Sequence, residues 1–179
     1  MELYEKKLQS EVKFQGKILS VRLDTVELPN GRQAAREVCD HVSGVAVLPI
    51  DDDGTVYLVR QFRYPYEMEL LEIPAGKMDR DDGEAHLECG LRELAEETGF
   101  EAKEMIYLGE MYPSPGFLSE VIYLYAAKGL ISGKKHPDED EFVETVRMPL
   151  DTLCDKIAKG EICDGKTIAA AFRAKWMGL

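Results

Sequence analysis

Residues 92–100, which read RELAEETGF, constrain the fold more than any other stretch of this chain. The segment has the composition of a helix and reaches a stop at Gly99, because glycine commonly ends helices. At roughly 100° per residue, Glu93, Glu96 and Glu97 fall on one face of that helix. Like charges at this spacing repel one another. The sequence therefore predicts a helix whose acidic face needs a countercharge.

The opposite face of the same helix is apolar. Leu87, Leu91, Leu94 and the methyl group of Thr98 fall there, and we expect this face to pack against a β-sheet. The acidic face suits a divalent cation such as Mg²⁺, which prefers carboxylate oxygens and leaves coordination positions open for phosphate. A solvated acidic face is the alternative, and the helix alone does not decide between the two.

The longer stretch Gly76–Phe100 resembles the Nudix box, whose pattern is G-x5-E-x7-R-E-U-x-E-E-x-G-U, with U a bulky apolar residue. Every position of the pattern from Glu84 onwards is matched. The spacing before Glu84 is two residues longer than the pattern, so that Met78 stands where the pattern places glycine. We interpret this as a two-residue insertion within Asp79–Asp82, in the loop before the helix. The resemblance to the Nudix hydrolase family therefore retains all the helix carboxylates.

Composition limits the other classes of function. The chain has 179 residues, 45% of them hydrophobic, and a formal net charge of −12. This acidic balance argues against nucleic-acid or anionic-membrane binding, which needs a basic face. No apolar run approaches the length of about 18 residues that indicates a membrane span. Its beginning, MELYEKKLQSEVKF, lacks the apolar segment of a signal peptide, and the four cysteines lack CxxC spacing, so we expect reduced thiols in the cytoplasm.

The first 42 residues indicate β-strands rather than a helix. Residues 17–28 alternate apolar and polar side chains, Pro29-Asn30-Gly31 is a turn signal, and residues 33–41 can return as a hairpin partner. Such a meander has little core of its own and must pack on the main domain or on a second subunit. We therefore divide the chain into a β-meander for dimerisation and base recognition, residues 1–42, and a Nudix hydrolase domain, residues 43–179.

Strands and helices alternate in the rest of the chain, which predicts an α/β or α+β fold. We expect Pro74 and Gly76 to end a strand, Asp151 to cap one helix and Trp176 to pack within the fold from another. The Nudix resemblance implies an α/β/α sandwich around a mixed β-sheet. The predicted strands are residues 42–50, 55–61, 69–76, 102–111, 120–127 and 142–149, and the later helices are residues 150–160 and 164–177.

The Nudix resemblance also implies a reaction: hydrolysis of a nucleoside diphosphate linked to another group. It implies Mg²⁺, Mn²⁺ or another divalent cation, two or more per site. Glu93, Glu96 and Glu97 become the expected metal ligands, with the backbone carbonyl of Ala75 completing a site, and Glu96 and Glu97 are also expected to be catalytic. Arg92 is expected to point away from the centre of the cluster and to hold one carboxylate.

Four segments outside the box resemble the ADP-ribose pyrophosphatase group. This resemblance implies that ADP-ribose is cleaved to AMP and ribose 5-phosphate by a homodimer whose N-terminal strands reach the partner's site. The four segments are Arg60–Tyr64, Glu72–Gly76, Ser114–Gly116 and Glu141–Glu144.

The same resemblance implies further site residues. Arg36 and Arg63 become candidate diphosphate-binding residues, because a guanidinium fork matches phosphate oxygens; each could instead balance a nearby acidic residue. Glu141 matches the general base or water-orienting carboxylate, with Glu139 as the alternate. A base on a loop is physically reasonable, because loop closure on the substrate would exclude water.

Aromatic and loop residues complete the expected substrate site. Phe14, or Tyr4 in its place, is expected to stack on the adenine, and Pro115 and Phe117 are expected to lie beside the substrate. Two other functions stay open. The first is hydrolysis of another nucleotide sugar, such as GDP-mannose. The second is a Nudix-like sensor that binds ADP-ribose without turnover, which is disfavoured because such a sensor would be expected to lose box carboxylates.

Overall fold

The computed structural model of the chain describes residues 3–78, 84–136 and 142–179. The chain forms two compact units, one of residues 1–43 with 112–121 and one of residues 44–111 with 122–179. The smaller unit is built on an N-terminal β-meander, and the larger one contains every helix of the described ranges.

The smaller unit is an antiparallel sheet of three strands in the order β1-β2-β3. The turn between β2 and β3 is closed by Gly31, which has φ of 79° and donates its N–H to the Leu28 carbonyl at 2.9 Å. All ten residues of β1 are exposed. The predicted meander and its turn are confirmed. The strands are β1 (Lys6–Gln15), β2 (Leu19–Glu27) and β3 (Gln33–His41).

The segment of residues 112–121 belongs to the smaller unit because it runs beside β3. Cys39 donates its N–H to the Phe117 carbonyl at 2.7 Å and accepts from the N–H of Ser119 at 3.0 Å. The Ser114 carbonyl accepts the N–H of Leu118 at 3.0 Å, which closes a turn over Pro115. The predicted strand from residue 120 therefore begins slightly later, at Ile122.

The larger unit contains two sheets. One has the order β7-β4-β9-β8, and the other has the order β10-β5-β6. β4 and β9 are parallel, whereas β7 and β8 are antiparallel to their neighbours, so the four-stranded sheet is mixed. The elements are β4 (Gly44–Pro49), β5 (Thr55–Arg63), a 3-10 turn (Tyr64–Tyr66), β6 (Met68–Glu72), β7 (Ala75–Lys77), α1 (His86–Thr98), β8 (Phe100–Met111), β9 (Ile122–Ser132), β10 (Glu144–Pro149), α2 (Leu150–Ala158) and α3 (Gly165–Met177).

Alternate residues of β4 face opposite sides of the mixed sheet. Val45 and Val47 pack with Leu94 of α1 on one side, whereas Ala46 and Leu48 belong to the core formed with α2 and α3 on the other. Because both faces are covered, β4 is buried throughout, which explains its continuous apolar sequence. The expected α/β/α sandwich around a mixed sheet is confirmed.

The prediction for the apolar face of α1 is wrong in part. Leu94 is buried, but Leu87 and Leu91 are 40% and 37% exposed. The helix turns a different face to the sheet because Gly90 has no side chain: a Cβ there would lie 3.0 Å from Cγ1 of Val45. The buried residues of the helix are Cys89, Gly90, Glu93, Leu94 and Glu97.

Three smaller predictions need correction. Trp176 is 94% exposed rather than packed within its own chain. The residue before α2 is Pro149, and Asp151 lies in the first turn, where its charge suits the helix dipole. β6 ends at Glu72, shortly before Pro74, but Gly76 does not end a strand, because it lies within β7, which belongs to the other sheet. In the ranges described, no helix is long and apolar enough to cross a bilayer.

Candidate active site

Helix α1 presents two of its carboxylates to the start of β7. Glu93 is 7% exposed and Glu97 is 2% exposed. The N–H of Ala75 donates to Oε2 of Glu97 at 3.2 Å. The carboxylate of Glu93 lies directly over Gly76, where an added Cβ would fall 1.9 Å from Oε1 of Glu93. The predicted ligands Glu93, Glu97 and Ala75 are therefore brought together, and only glycine fits at residue 76.

Arg92 connects the carboxylates of this region. Its Nη1 donates to Oε1 of Glu93 at 2.5 Å and to Oε2 of Glu96 at 2.8 Å, and its Nε donates to Oε1 of Glu84 at 3.0 Å. Burial opposes the charge of Arg92, but the bonds with these carboxylates outweigh burial and raise the pKa of Arg92. Arg92 thus holds three carboxylates rather than the single one expected, and it lies within the cluster rather than pointing away from it.

The donor set fits a hard divalent cation in its chemistry. Glu93, Glu96 and Glu97 supply carboxylate oxygens within one helical turn and a half, and the backbone of Ala75 lies beside them, since its N–H bonds Glu97. Hard cations such as Mg²⁺ prefer these ligands. Within the residues that the structure describes, no group of three or more His, Cys, Asp or Glu side chains is arranged so that it could hold a metal ion as it stands. Arg92 holds Glu93 and Glu96, so a cation would have to compete with its guanidinium for them.

Cys89 lies beside this cluster without sharing its chemistry. It is fully buried, and Arg92 donates a hydrogen bond from Nη2 to its Sγ at 3.4 Å. Burial raises the pKa of the Cys89 thiol to about 12. The thiol is therefore uncharged at neutral pH and acts as a packing residue.

The segment after β9 returns to the carboxyl-terminal end of α1. The N–H of His136 donates to the Glu96 carbonyl at 3.1 Å, and Nζ of Lys135 donates to the Val143 carbonyl at 2.8 Å. The predicted general base Glu141 and its alternate Glu139 lie outside the described residues.

Arg63 forms a two-pronged ion pair with Glu72. Its Nε and Nη2 each donate to a different oxygen of Glu72, both at 2.7 Å. The hydrogen bonds from Arg63 to Glu72 raise the pKa of Arg63, and the charges of Asp164 and Glu97 add to this effect. The negative charge of Glu97 on α1 therefore acts on Arg63. The Nε and Nη2 donors of Arg63 are both engaged by Glu72.

The remaining predicted residues lie in the smaller unit. Arg36 on β3 forms a two-pronged ion pair with Glu5, with Nε–Oε2 and Nη2–Oε1 distances of 2.9 and 2.6 Å. Phe14, Tyr4 and Phe117 are all more than half exposed, so none of them is a core residue. Arg36 and Arg63 therefore each pair with a nearby glutamate, as expected if they balance local acidic residues. The three aromatic rings are exposed to solvent.

Sequence reasoning missed two residues of the Arg63 region. Glu72 is 1% exposed, and Lys166 of α3 donates to one of its oxygens. The signal for Glu72 was present, because a single acidic residue interrupts the apolar run Leu70–Ile73. Lys166 had no signal, because it lies 94 residues from Glu72 in the sequence.

Two family models match this chain. A model described as the NUDIX domain matches residues 40–171. A model described as the nucleoside diphosphate sugar hydrolase N-terminal domain matches residues 5–38. Together they account for most of the sequence.

Three curated relatives cover most of this chain. A methanol dehydrogenase activator of Bacillus methanolicus is 42% identical over 93% of this chain and 90% of its own length. An ADP-ribose pyrophosphatase of Bacillus subtilis (strain 168) is 40% identical over 94% of this chain and 91% of its own length. A GDP-mannose pyrophosphatase of Yersinia enterocolitica is 39% identical over 82% of this chain and 81% of its own length.

The fold itself has a close counterpart among solved structures. The crystal structure of an ADP compounds hydrolase covers 99% of this chain and 97% of its own, with a TM-score of 0.85 and 24% identity. At that identity the likeness concerns the fold alone. The family-model and relative matches, which are sequence comparisons, and the helix that carries Glu93, Glu96 and Glu97 agree with this fold. The chain belongs to the Nudix family.

Proposed function

We propose that this protein hydrolyses the diphosphate bond of ADP-ribose, giving AMP and ribose 5-phosphate. The observation that carries the proposal is the position of Glu93 and Glu97, which are turned inward against Ala75 and Gly76 by the packing of α1. A relative that is 40% identical over 94% of this chain is an ADP-ribose pyrophosphatase, which supports the choice of substrate.

Glu93, Glu96 and Glu97, together with the Ala75 carbonyl, would hold divalent cations, for which we propose Mg²⁺ and two or more ions per site. When bound, the ions would neutralise the diphosphate charge and lower the pKa of a water molecule. Arg92 keeps the carboxylates in place before the ions arrive, because it holds Glu93 and Glu96 at 2.5 and 2.8 Å. Glu96 and Glu97 then also act in catalysis.

For the substrate we propose the binding residues that the sequence predicted. Arg63 and Arg36 would bind the diphosphate, since each presents a fork of donors already aligned on a carboxylate, Glu72 or Glu5. Phosphate oxygens accept the same geometry. Phe14, Pro115 and Phe117 would contact the base and the sugar, which is supported by the exposure of the two aromatic rings. Glu141 would be the general base, with Glu139 as the alternate.

The two parts of the chain would have different roles. Residues 1–42 would form the dimerisation and base-recognition region, and residues 43–179 would form the hydrolase domain. The matched family ranges 5–38 and 40–171 support this boundary. A homodimer is supported by β1, which exposes all ten of its residues and therefore leaves Leu8, Val12 and Phe14 uncovered within the described chain.

The four cysteines are free thiols, which fits a protein of the reducing cytoplasm.

Hydrolysis of another nucleotide sugar is the second candidate. A relative that is 39% identical over 82% of this chain is a GDP-mannose pyrophosphatase. Such an enzyme would keep the same carboxylate helix and differ in the residues that recognise the base and the sugar.

The experiment that tests the proposal is product analysis on a panel of substrates with and without Mg²⁺. The panel contains ADP-ribose, ADP-glucose, GDP-mannose, NADH and diadenosine polyphosphates. We expect rapid Mg²⁺-dependent release of AMP from ADP-ribose. Preferred turnover of GDP-mannose would replace the substrate and keep the metal site. Binding of ADP-ribose without turnover of any substrate would overturn the enzymatic proposal in favour of a sensor.

A further inference from the structure

Glu72 is a buried carboxylate for which the metal site provides no role. It ends β6, is 1% exposed and accepts from both prongs of Arg63 at 2.7 Å. Lys166 also donates to its Oε2 through Nζ. One carboxylate is therefore shared by two cations, and only one of the two, Arg63, belongs to the proposed diphosphate site.

Lys166 is held in a fixed position by the start of α3. Its side chain is 11% exposed, and its Nζ also donates to Oδ1 of Asp164 at 2.9 Å. Asp164 caps the helix, because its Oδ2 accepts the N–H of Thr167 at 3.0 Å. The hydroxyl of Thr167 accepts the N–H of Ile73 at 2.9 Å, which ties the helix start to the residue after Glu72. The ammonium group thus has little freedom to move away from Glu72.

The charge balance explains what Lys166 adds. Without Lys166, two carboxylates, Glu72 and Asp164, would act on the single cation Arg63, and a phosphate would have to compete with them for its guanidinium. With Lys166 present, which pairs with both Glu72 and Asp164, the two carboxylates are balanced by two cations. The guanidinium of Arg63 then keeps more of its positive potential while its plane stays fixed by two hydrogen bonds.

We propose that Glu72 and Lys166 are positioning residues for substrate binding: Glu72 fixes the plane of the Arg63 guanidinium, and Lys166 offsets the charge of Glu72 so that Arg63 can attract a diphosphate. This inference rests on the proposed function, in which Arg63 binds the diphosphate of ADP-ribose. It assigns a role in substrate binding to α3, a helix that carries none of the metal ligands.

The test compares steady-state kinetics of Lys166→Met with those of the wild-type protein. Methionine keeps most of the unbranched stem and removes the charge. We expect KM for ADP-ribose to rise roughly tenfold and kcat to change much less, as for the loss of one binding interaction common to ground and transition states. Lys166→Arg, which restores a cation, should recover most of the lost affinity. Lys175→Met is the matched control, because Lys175 lies on the same helix and pairs at 3.0 Å with the exposed Asp151.

A double-mutant cycle tests whether Lys166 acts through Arg63. If it does, Lys166→Met should have little further effect on KM in a protein that already carries Arg63→Gln, because the residue that it serves is gone. Additive effects of the two substitutions would overturn the inference. A fall in kcat and thermal midpoint with unchanged KM would also overturn it, because that result describes a purely structural role.

The inference and the proposed function fail in different ways. If the wild-type protein turns over no member of the substrate panel, the proposed function fails and the inference falls with it. If the wild-type protein is active but Lys166→Met resembles Lys175→Met, the inference alone is overturned. Should Lys166→Met fail to fold, Lys166→Gln serves in the same cycle, and Glu72→Gln gives an independent measurement, for which we also expect a higher KM.

Discussion

The carboxylate of Glu93 occupies the space that a side chain at residue 76 would need. A Cβ on Gly76 would lie 1.9 Å from both Cδ and Oε1 of Glu93, which no real contact allows. The Nudix box therefore depends on its first glycine for a steric reason, even though this chain separates that glycine from Glu84 by two extra residues.

Gly76→Ala tests this relationship. We expect the new methyl group to displace the Glu93 carboxylate, and a displacement of about 1 Å in a catalytic group can lower turnover by roughly a hundredfold. The measurement is kcat for ADP-ribose at saturating Mg²⁺, with a thermal melt to verify folding. Gly165→Ala is the control, because its Cβ would meet only Sδ of Met111, at 3.8 Å. Unchanged kcat in Gly76→Ala would mean that the position of Glu93 does not limit the reaction.

Glu97→Gln separates metal binding from packing at one residue. A glutamine carbonyl can still accept the N–H of Ala75, which Glu97 binds at 3.2 Å, so the fold should survive. A neutral amide is a poor ligand for a hard cation, so we expect turnover to fall by at least about a hundredfold. Loss of a residue that only supports a metal ligand lowers activity by about 10- to 100-fold, so a larger fall would identify Glu97 as a ligand. Turnover and Mg²⁺ affinity are measured together. Near-wild-type turnover at saturating Mg²⁺ would remove Glu97 from the metal site.

Glu141→Gln tests the proposed general base. We expect slower turnover with little loss of Mg²⁺ affinity, because a base acts on water rather than holding the metal. Glu139→Gln is the matched control, two residues away in the same acidic run. If Glu139→Gln loses turnover and Glu141→Gln does not, the base is Glu139.

The ion pairs of Glu72 predict a pH dependence of stability. Burial opposes the ionisation of Glu72, but the bonds from Arg63 and the charge of Lys166 outweigh it, and the pKa of Glu72 is lowered below its ordinary value of 4.5. A lowered pKa means that ionised Glu72 stabilises the fold fully above 4.5. That stabilisation is lost as the pH falls through the lower pKa of the folded state.

Urea unfolding of the wild type and of Glu72→Gln measures this effect. The difference in free energy of unfolding should be greatest at neutral pH and should shrink as the pH falls below 4.5. Glu161→Gln is the control: Glu161 forms an exposed pair with Lys156, and exposed pairs contribute little. A difference that stays constant with pH would show that Glu72 stabilises the fold by packing alone.

The exposed strand β1 predicts self-association. Sedimentation at micromolar concentration should give twice the chain mass of 20.2 kDa. Val12→Lys should weaken the dimer, because Val12 is 60% exposed and lies in the middle of β1. Lys13→Gln is the control, since Lys13 already forms an exposed pair with Glu11. A wild-type monomer near 20.2 kDa would contradict the dimer and, with it, the expected reach of the N-terminal strands.

The sequence by itself determined the family, the meander and the presence of an acidic helix. These features depend on local spacing: the Glu84-to-Phe100 pattern, the Pro29–Gly31 turn and the alternation along β2 are all written within short stretches of chain. The apolar run at residues 42–50 is also a local pattern, and the strand predicted there is β4, which is buried throughout.

Only the tertiary structure decided which face of α1 is buried. A helical wheel gives the angles between side chains but not the direction of the sheet, and here Gly90 and Gly76 let the carboxylate side approach β4 and β7, which leaves Leu87 and Leu91 exposed. The same holds for the pairing of Glu72 with Lys166 across 94 residues. No local pattern encodes such a contact, because it exists only once α3 has packed against the end of β6.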